Sequence, residues 1–392
     1  MKKLHISFAM PACSRSLRVE DVSRGSKIPK LERTRVMKSS TKWFLLVVIS
    51  GLLLGAAQPS SAQSPTPCVP APGCTCTTFV DPDTNATLNA LVVNPAAEVT
   101  TNLDASVAGC NIVVYFNNGQ GQVGDKKMPQ TVLSGATHYG VLIDGSVNNV
   151  AVDITNTAVH NIKSATNPNS DQGVGISYRA FQLGGMTGTA GGTVSNCNVY
   201  DYQKGGIEAN GQGVNVTIRD STLTGSGPDI FLAQNGIQVG FGANGTVTGN
   251  NVSKNSFNPD TNFAATGVLV AGGPSYNGST QCPGSSSTNP CPYTTGAMVL
   301  KNTLTDNDVG AYLYNPLDNN FTPPPSMTNN KVTNNTMSIT TCSNAYMTGA
   351  TDIGNNDKVI NNVMTGYNTS NPNCFPVDNG GTNTHVAASP HP

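Results

Sequence analysis

Six ionisable side chains that could carry acid–base chemistry are concentrated between residues 138 and 208. They are His138, Asp144, Asp171, Arg179, Lys204 and Glu208. A lysine with a lowered pKa can act as a base, and an arginine can neutralise a substrate carboxylate while a neighbouring proton is removed. Carboxylate oxygens are ligands for Ca²⁺. We therefore predict Lys204, Arg179, Asp171 and Glu208 as catalytic residues, and Asp171, Glu208 and Asp144 as residues that could hold Ca²⁺.

The elements that must position these residues repeat about every 30 residues. A phrase of one glycine followed by alternating apolar residues recurs at Gly140, Gly173, Gly206, Gly236, Gly267 and Gly310. A second phrase ends on an apolar residue, at Val159, Val199, Leu223, Val252, Leu304, Val332 and Val363. Two independent repeats of similar period indicate a solenoid of stacked units, because one short unit cannot bury its own apolar face.

Each unit is predicted to consist of short β-strands. The two positions that follow each glycine at odd spacing are apolar, and period-two alternation is typical of strands. In the second phrase, a small polar residue lies two positions before the final apolar residue. It is found at Thr157, Cys197, Ser221, Asn250, Asn302, Asn330 and Asn361. Stacked strands lie about 4.8 Å apart, so these side chains are expected to form a hydrogen-bonded ladder inside the solenoid.

Stacking decides which side chains reach solvent. With the apolar residues pointing inward, the alternate positions point outward, and His138, Asp171 and Lys204 are expected to stand above one another at steps of about 4.8 Å. Arg179 and Glu208 are expected to lean over the same exposed face. The alternative interpretation is a solvated ladder of ion pairs, which would contribute little stability and no chemistry.

The glycine phrases GVLID, GVGIS and GGIEA, each followed by Asn-x-[Val/Leu]-[Ser/Thr], resemble the repeats of right-handed parallel β-helix proteins of the pectate-lyase-like (pectin lyase fold) superfamily. The resemblance covers Asn111 to Tyr367. It implies an all-β, single-stranded, right-handed parallel β-helix and an exposed strand face that meets polysaccharide. The motifs of individual activities are missing: the chain has no paired aspartates, no GHG turn, no RxPxxR and no vWiDH. No catalytic residue is therefore transferred from the superfamily.

Three functions remain open at this stage. A polysaccharide lyase or epimerase acting on uronates would use Lys204 as base and Arg179 as neutraliser. A glycoside hydrolase needs two carboxyls about 5–9.5 Å apart, and Asp171 and Glu208 are predicted to be further apart along the strand. The third function is a non-catalytic surface, matrix or glycan-binding solenoid. For substrate contacts we predict His138, and Tyr312 and Tyr314 as outward rings that stack on sugars.

The N-terminal region has a pattern that is typical of a targeting segment. Residues 1–36 are predicted to be an upstream extension, and residues 37–62 a signal peptide with cleavage after Ala62, because a basic start, a short apolar run and small residues follow in order. A Cys-, Pro- and Thr-rich cap is predicted at 63–110, the β-helix at 111–367 and a tail at 368–392. The protein is expected to be secreted, at the cell surface or periplasmic, without membrane insertion after cleavage.

Nine cysteines remain after that cleavage, and an exported chain can form disulfides. We predict the pairs Cys282–Cys291 and Cys342–Cys374. A further pairing is predicted within the N-terminal group Cys68, Cys74, Cys76 and Cys110. The odd cysteine, Cys197, falls in the interior ladder.

Charge excludes one class of partner. Residues 1–62 hold 11 of the 21 Lys and Arg and 3 of the 22 Asp and Glu, so the remainder has 10 basic and 19 acidic residues. Its formal charge of about −9 makes nucleic acid an unfavourable partner, because nucleic-acid binding depends on neutralising phosphates. Polysaccharide is the partner that we predict, and the oligomeric state is left open.

Overall fold

The computed structural model describes residues 75–164, 166–258, 264–273, 282–286, 289–315, 327–342, 346–368 and 373–390. The predicted signal peptide, and Cys68 and Cys74, lie outside these residues. Among the described residues, no helix is long and apolar enough to cross a membrane.

Almost all regular structure is β. The first nine strands are β1 (Thr77–Val80), β2 (Thr87–Val93), β3 (Leu103–Asp104), β4 (Ile112–Phe116), β5 (Gly119–Val123), β6 (Thr131–Ser134), β7 (Tyr139–Asp144), β8 (Val150–Thr155) and β9 (Thr157–Ile162). The next nine are β10 (Val174–Arg179), β11 (Ala190–Ser195), β12 (Asn198–Tyr202), β13 (Gly205–Asn210), β14 (Val214–Arg219), β15 (Thr222–Thr224), β16 (Asn235–Gly240), β17 (Asn244–Thr248) and β18 (Asn251–Ser253). The last ten are β19 (Thr266–Ala271), β20 (Met298–Leu300), β21 (Thr303–Thr305), β22 (Val309–Tyr314), β23 (Lys331–Thr333), β24 (Thr336–Ser338), β25 (Met347–Asp352), β26 (Lys358–Thr365), β27 (Cys374–Asn379) and β28 (His385–Pro390). One 3₁₀ turn spans Ala105–Val107.

These strands stack into a parallel β-helix, which confirms the predicted fold class. One sheet, here called the front sheet, has the order β1-β2-β4-β7-β10-β13-β16-β19-β22-β25-β27. The other strands form the back sheet, in which two rows of strands run side by side. Every pairing is parallel except that of β1, which lies antiparallel to β2 at the N-terminal end. Each coil therefore contributes one front strand and two back strands, and consecutive coils bury one continuous apolar core.

The front sheet is aligned by a column of glycines at Gly140, Gly175, Gly206, Gly236, Gly267, Gly310 and Gly349. There is no room for a side chain in this column. A Cβ on Gly236 would lie 2.3 Å from the Val252 side chain of the back sheet and 2.7 Å from the carbonyl oxygen of Gly267. Glycine therefore lets the front sheet approach both the next coil and the back sheet.

One member of the predicted column is wrong. Ile176 pairs with Val141, so Gly175, and not Gly173, lies beside Gly140. A shift of two residues leaves every side chain on the same face of the sheet, so alternation alone does not distinguish the two registers. The phrase GVG contains glycine at both candidate positions, and the structure selects the second.

The interior ladder is confirmed, with two members corrected. Its amide part consists of Asn250, Asn302, Asn335 and Asn362. The last three each accept from the backbone N–H and the side-chain amide of the preceding member, and Asn250 accepts from the backbone N–H of Ser221. Thr157, Cys197 and Ser221 occupy the earlier coils of the ladder, as predicted. The apolar residues that continue the column of Leu304 are Met337 and Met364, and not Val332 and Val363. The sequence pattern of the second phrase occurs in both rows of the back sheet, so it did not distinguish them.

The residue before each ladder member turns the chain from one back row to the next. Asn156, Asn196, Asp220, Gly249, Lys301, Asn334 and Asn361 all have positive φ. Asparagine, aspartate and glycine adopt this left-handed conformation at least cost. Asn361, which the sequence placed in the ladder, is thus a turn residue, and Asn330 lies in the other back row, where it donates to the carbonyl of Thr294.

Loss of one ladder amide is expected to be costly. In Asn302→Ala, the backbone N–H and the side-chain amide of Asn250 lose the Asn302 oxygen as acceptor, and the carbonyl of Val247 loses the Asn302 amide as donor, in a fully buried place. We expect the free energy of unfolding to fall by about 2–3 kcal/mol in chemical denaturation. The neighbouring Asn251 is exposed, and Asn251→Ala is expected to change it by less than about 0.5 kcal/mol. Equal effects of both substitutions would contradict a stabilising contribution from the ladder hydrogen bonds.

Among the described residues, three disulfides join Cys76 to Cys110, Cys282 to Cys291 and Cys342 to Cys374. The last two are the predicted pairs, and the first is a pair within the predicted N-terminal group. Cys197 is buried and free, as expected. Disulfides fit an oxidising compartment such as the extracellular space. The stack also extends beyond the region of clear repeats, since β2 begins upstream of residue 111 and β27 and β28 lie downstream of residue 367.

Candidate functional site

A cavity of about 350 Å³ lies on the outer face of the front sheet. Its floor is formed by β7, β10 and β13, which contribute Tyr139, Arg179 and Glu208. Residues 81–86, between β1 and β2, form one wall together with Leu88 of β2, and residues 167–172, which precede β10, form another. This volume is at the lower end of the range for small-molecule sites, so the cavity accommodates a short segment of a polymer.

Arg179 is the centre of an ion-pair cluster beside this cavity. Its Nη2 atom lies 2.5 Å from Asp81 Oδ1 and 2.8 Å from Asp144 Oδ2. Its Nε atom lies 3.0 Å from Asp83 Oδ2, in an orientation too poor for a hydrogen bond. Asp144 stands beside Arg179 on the neighbouring strand, whereas Asp81 and Asp83 come from the turn after β1. The guanidinium therefore fastens the turn between β1 and β2 to β7 and β10 of the front sheet.

Three carboxylates share this one guanidinium, and their pKa values respond differently. Burial raises the pKa of Asp83 to about 6, although Arg179 opposes the shift. Burial would also raise the pKa of Asp144, but Arg179 and Ser146 hold it below its ordinary value. Burial acts against the charge of Arg179 as well, yet the three carboxylates together raise the pKa of the guanidinium. Loss of the Asp83 proton near pH 6 therefore adds one negative charge to the cluster.

The prediction that Arg179 lies on the exposed face is wrong, because Arg179 is only 5% exposed. The hairpin turn covers it, and sequence reasoning missed Asp81 and Asp83 since they precede the repeats. Their local signal is the Asp-Pro-Asp-Thr turn, in which Asp81 accepts from the backbone of Asp83 and from the hydroxyl of Thr84. That signal predicts a turn and does not say where the turn packs.

Lys204, Asp171 and Glu208 form a second group in the same cavity region. Lys204 Nζ lies 3.3 Å from Asp171 Oδ1 and donates to the carbonyl of Ala233 at 3.3 Å. Glu208 is partly exposed, and burial of its carboxyl raises its pKa to about 7, with Lys204 opposing the shift and Asp171 adding to it. Burial also raises the pKa of Asp171, again against Lys204. A group with a pKa near 7 is suited to proton transfer.

His138 lines the cavity, but it does not form the predicted stack with Asp171 and Lys204. In the observed register, Gly173 lies between His138 of one neighbouring coil and Lys204 of the other. The backbone N–H of Gly173 donates to the carbonyl of His138, and that of Lys204 donates to the carbonyl of Gly173. Asp171 lies in the preceding loop and reaches Lys204 from there. Burial lowers the pKa of His138, so its ring is neutral at pH 7.

The three predicted Ca²⁺ ligands are divided between the two groups. Asp144 is bound to Arg179, whereas Asp171 is bound to Lys204 with Glu208 nearby. Asp81, Asp83 and Asp144 do offer carboxylate oxygens within 4.8 Å of one another, but the guanidinium of Arg179 already lies among them. In both groups a side-chain cation takes the place that a metal ion would need, so these residues do not fit the predicted Ca²⁺ site.

The predicted sugar-stacking tyrosines are not at the surface. Tyr312 is 2% and Tyr314 9% exposed, and their rings meet edge to face at 5.4 Å. They pack with Leu269 and Tyr346 on the outer face of the front sheet. The expected outward direction is correct, but the expected exposure is wrong because further side chains cover this part of the sheet.

No protein-family model matches the chain, and no curated protein matches it. Among solved structures, an alginate lyase from Paenibacillus sp. str. FPU-7 is similar over 72% of this chain and 99% of that chain. The two are 12% identical and the TM-score is 0.31. Similarity at this level supports no argument about activity, and the fold assignment stands on the strand pairing described above.

Proposed function

We propose that the protein binds an extracellular polysaccharide at the front-sheet cavity and modifies it by acid–base chemistry, with Glu208 as the group that transfers the proton. The observation that carries the proposal is the partly exposed Glu208 carboxyl, whose pKa is raised to about 7 by burial. Such a group is protonated and ionised in similar amounts at neutral pH, so it can serve as acid or base. Lys204 and Asp171 set its electrostatic environment.

The reaction expected from sequence, elimination or epimerisation at a uronate, needs a cation that is free to neutralise the substrate carboxylate. Arg179 is shared by three carboxylates, and Lys204 is paired with Asp171. Carboxylates outnumber cations around the cavity, which makes a uronate electrostatically unfavourable. The surroundings favour an uncharged glycan, and Asp171 and Glu208 provide two carboxyls in one region, the kind of pair that glycoside hydrolysis uses.

A non-catalytic glycan-binding solenoid is the second candidate. The observation in its favour is that both cations of the region are already paired, as in a structural ion-pair network. Such a protein would bind oligosaccharides in the cavity without turning them over.

The deciding experiment is a panel of neutral and uronate polysaccharides, followed both by release of reducing ends and by ultraviolet absorbance of unsaturated products. Glu208→Gln preserves the shape of the side chain and removes its proton. We expect it to lower activity about 100-fold or more and to abolish the dependence of the rate on pH near 7.

Glu98→Gln is the matched control, because Glu98 is exposed and outside the cavity lining. It should leave the rate unchanged. Undiminished activity of the Glu208→Gln variant would exclude Glu208 as the proton-transfer group. If calorimetry shows that oligosaccharides bind but no product is formed, the result would favour the non-catalytic solenoid instead.

A further inference from the structure

Two buried carboxyl groups lie at the corner between the front and back sheets near the C-terminal end. Asp352 ends β25 and Asp357 immediately precedes β26. The two residues are 0% and 1% exposed. Asp352 pairs with Leu313, so it occupies a front-sheet position that is apolar in the preceding coils. Carboxyl groups in such a place require partners, because burying an unpaired charge is costly.

Hydrogen-bond donors satisfy three of the four carboxyl oxygens. The backbone N–H of Gly354 and the hydroxyl of Thr384 each donate to one oxygen of Asp352. The hydroxyl of Thr328 and the backbone N–H of Asn330 both donate to Oδ1 of Asp357, at 2.7 and 2.6 Å. Oδ2 of Asp357 is buried and has no donor among the described residues.

The carboxyl of Asp352 lies within hydrogen-bond range of the Asp357 carboxyl. The surroundings leave no space for a larger group. A Cβ at Gly354 would lie 2.0 Å from Asp357 Oδ2, and one at Gly381 would lie 2.1 Å from Asp352 Oδ2. Two acceptors that face each other in an enclosed site need a positive charge between them, and a proton is the one that fits.

The charged and titratable side chains on the packed strands do not supply that charge. Lys331 and Lys358 precede inward-facing valines and are exposed, and His385 pairs with Lys358 on the same outer side. Asp378 accepts a hydrogen bond from Tyr346 on the outer face of the front sheet. In the part of the chain that the structure describes, the polar groups on the pair are thus hydroxyls and backbone N–H groups.

We infer that Asp357 carries a proton on Oδ2 and donates it to Asp352, and that this shared proton holds the last three coils together. Thr328 lies in the coil before the pair and Thr384 in the coil after it, so the hydrogen-bonded group spans three layers of the stack. Removal of the proton leaves two buried like charges and loosens the C-terminal end of the solenoid. Terminal coils are the ones that open first, because they have a neighbour on one side only.

Burial and the neighbouring Asp352 raise the pKa of Asp357 from 3.8 to about 7, in agreement with this arrangement. The sign of the pH effect follows from linkage. The folded state keeps a proton that the unfolded chain releases near pH 4, so the stabilisation is largest at low pH and is lost as pH rises through about 7. Between about pH 5.5 and 8.5, opening of the C-terminal coils is expected to become roughly 30-fold more favourable.

Hydrogen exchange by mass spectrometry on peptides from 346–368 and 373–390, corrected for the intrinsic effect of pH, tests the inference. Asp357→Asn supplies a permanent amide donor of the same shape. We expect it to abolish the 30-fold change and, at about pH 8.5, to raise Tm by about 5 °C relative to the unmodified protein. Asp220→Asn, at an exposed position, is the control and should retain the full pH dependence.

The inference is overturned if Asp357→Asn keeps the pH dependence of exchange in these peptides, or if it is less stable than the unmodified protein at alkaline pH. Should the variant fail to fold, the unmodified protein still decides. Between about pH 5.5 and 8.5, peptides from β25 and β26 must lose more protection than peptides from β8 and β9, and equal behaviour of the two regions contradicts the shared proton.

Discussion

Replacing Arg179 by methionine is expected to lower the free energy of unfolding by about 3–5 kcal/mol, the usual cost of leaving buried charges without their partner. The substitution preserves an unbranched apolar stem and removes the positive charge from Asp81, Asp83 and Asp144. Because Asp81 and Asp83 belong to the turn between β1 and β2, that turn should also detach from β7 and β10. Urea denaturation measures the first effect, and hydrogen exchange in residues 77–93 measures the second.

The pH dependence of this variant has a definite sign. Without the guanidinium, burial raises the folded-state pKa values of Asp83 and Asp144 above their unfolded values, so protonation at low pH relieves the repulsion. The loss of stability is therefore expected to be smaller at about pH 5 than at about pH 8. Arg219→Met removes an exposed ion pair with Asp220 and should cost less than about 1 kcal/mol. A cost for Arg179→Met as small as this control would refute the buried cluster.

Substitution of Gly236 by valine is expected to destabilise the protein by more than about 4 kcal/mol, or to prevent folding. The first side-chain atom would meet Val252 at 2.3 Å and the carbonyl of Gly267 at 2.7 Å, and the second contact is with backbone that cannot move without breaking the sheet. Gly236→Ala should have an intermediate effect. Soluble yield, circular dichroism and thermal unfolding follow the series.

Gly191→Val provides the matched strand control. Gly191 lies in β11, and a Cβ there would have one close neighbour, the carbonyl oxygen of Asn215 at 3.0 Å. We expect a change within about 1 kcal/mol, because valine favours strands and this face is partly open. A protein that tolerates valine equally at positions 236 and 191 would be incompatible with the glycine column.

The site was less predictable than the fold for reasons that particular residues make clear. Lys204, Glu208 and Asp171 do form one group, but Asp171 reaches Lys204 from the loop before β10 and not from the predicted stacked position. Arg179 does not reach solvent, because Asp81 and Asp83 arrive from a hairpin outside the repeats. No periodic pattern encodes where that hairpin folds.

The same distinction applies to the C-terminal end. The glycine column continues to Gly349, and Asp352 follows it at a position where the earlier coils have apolar residues. The replacement of an apolar residue by Asp352 can be seen in the sequence if the glycine column is continued to Gly349. Its partner Asp357 is not, because their contact depends on how the turn between β25 and β26 closes.

The sequence by itself determined the stacked parallel strands, the interior asparagine ladder and two of the disulfides. These properties depend on period and face, which any chain with this alternation must express when it buries its apolar residues. The tertiary structure decided the register of β10, the enclosure of Arg179, the burial of Tyr312 and Tyr314, and the pairing of Asp352 with Asp357. A two-residue shift and the packing of a turn leave hydrophobic alternation unchanged, so only the contacts of the folded chain could select between them.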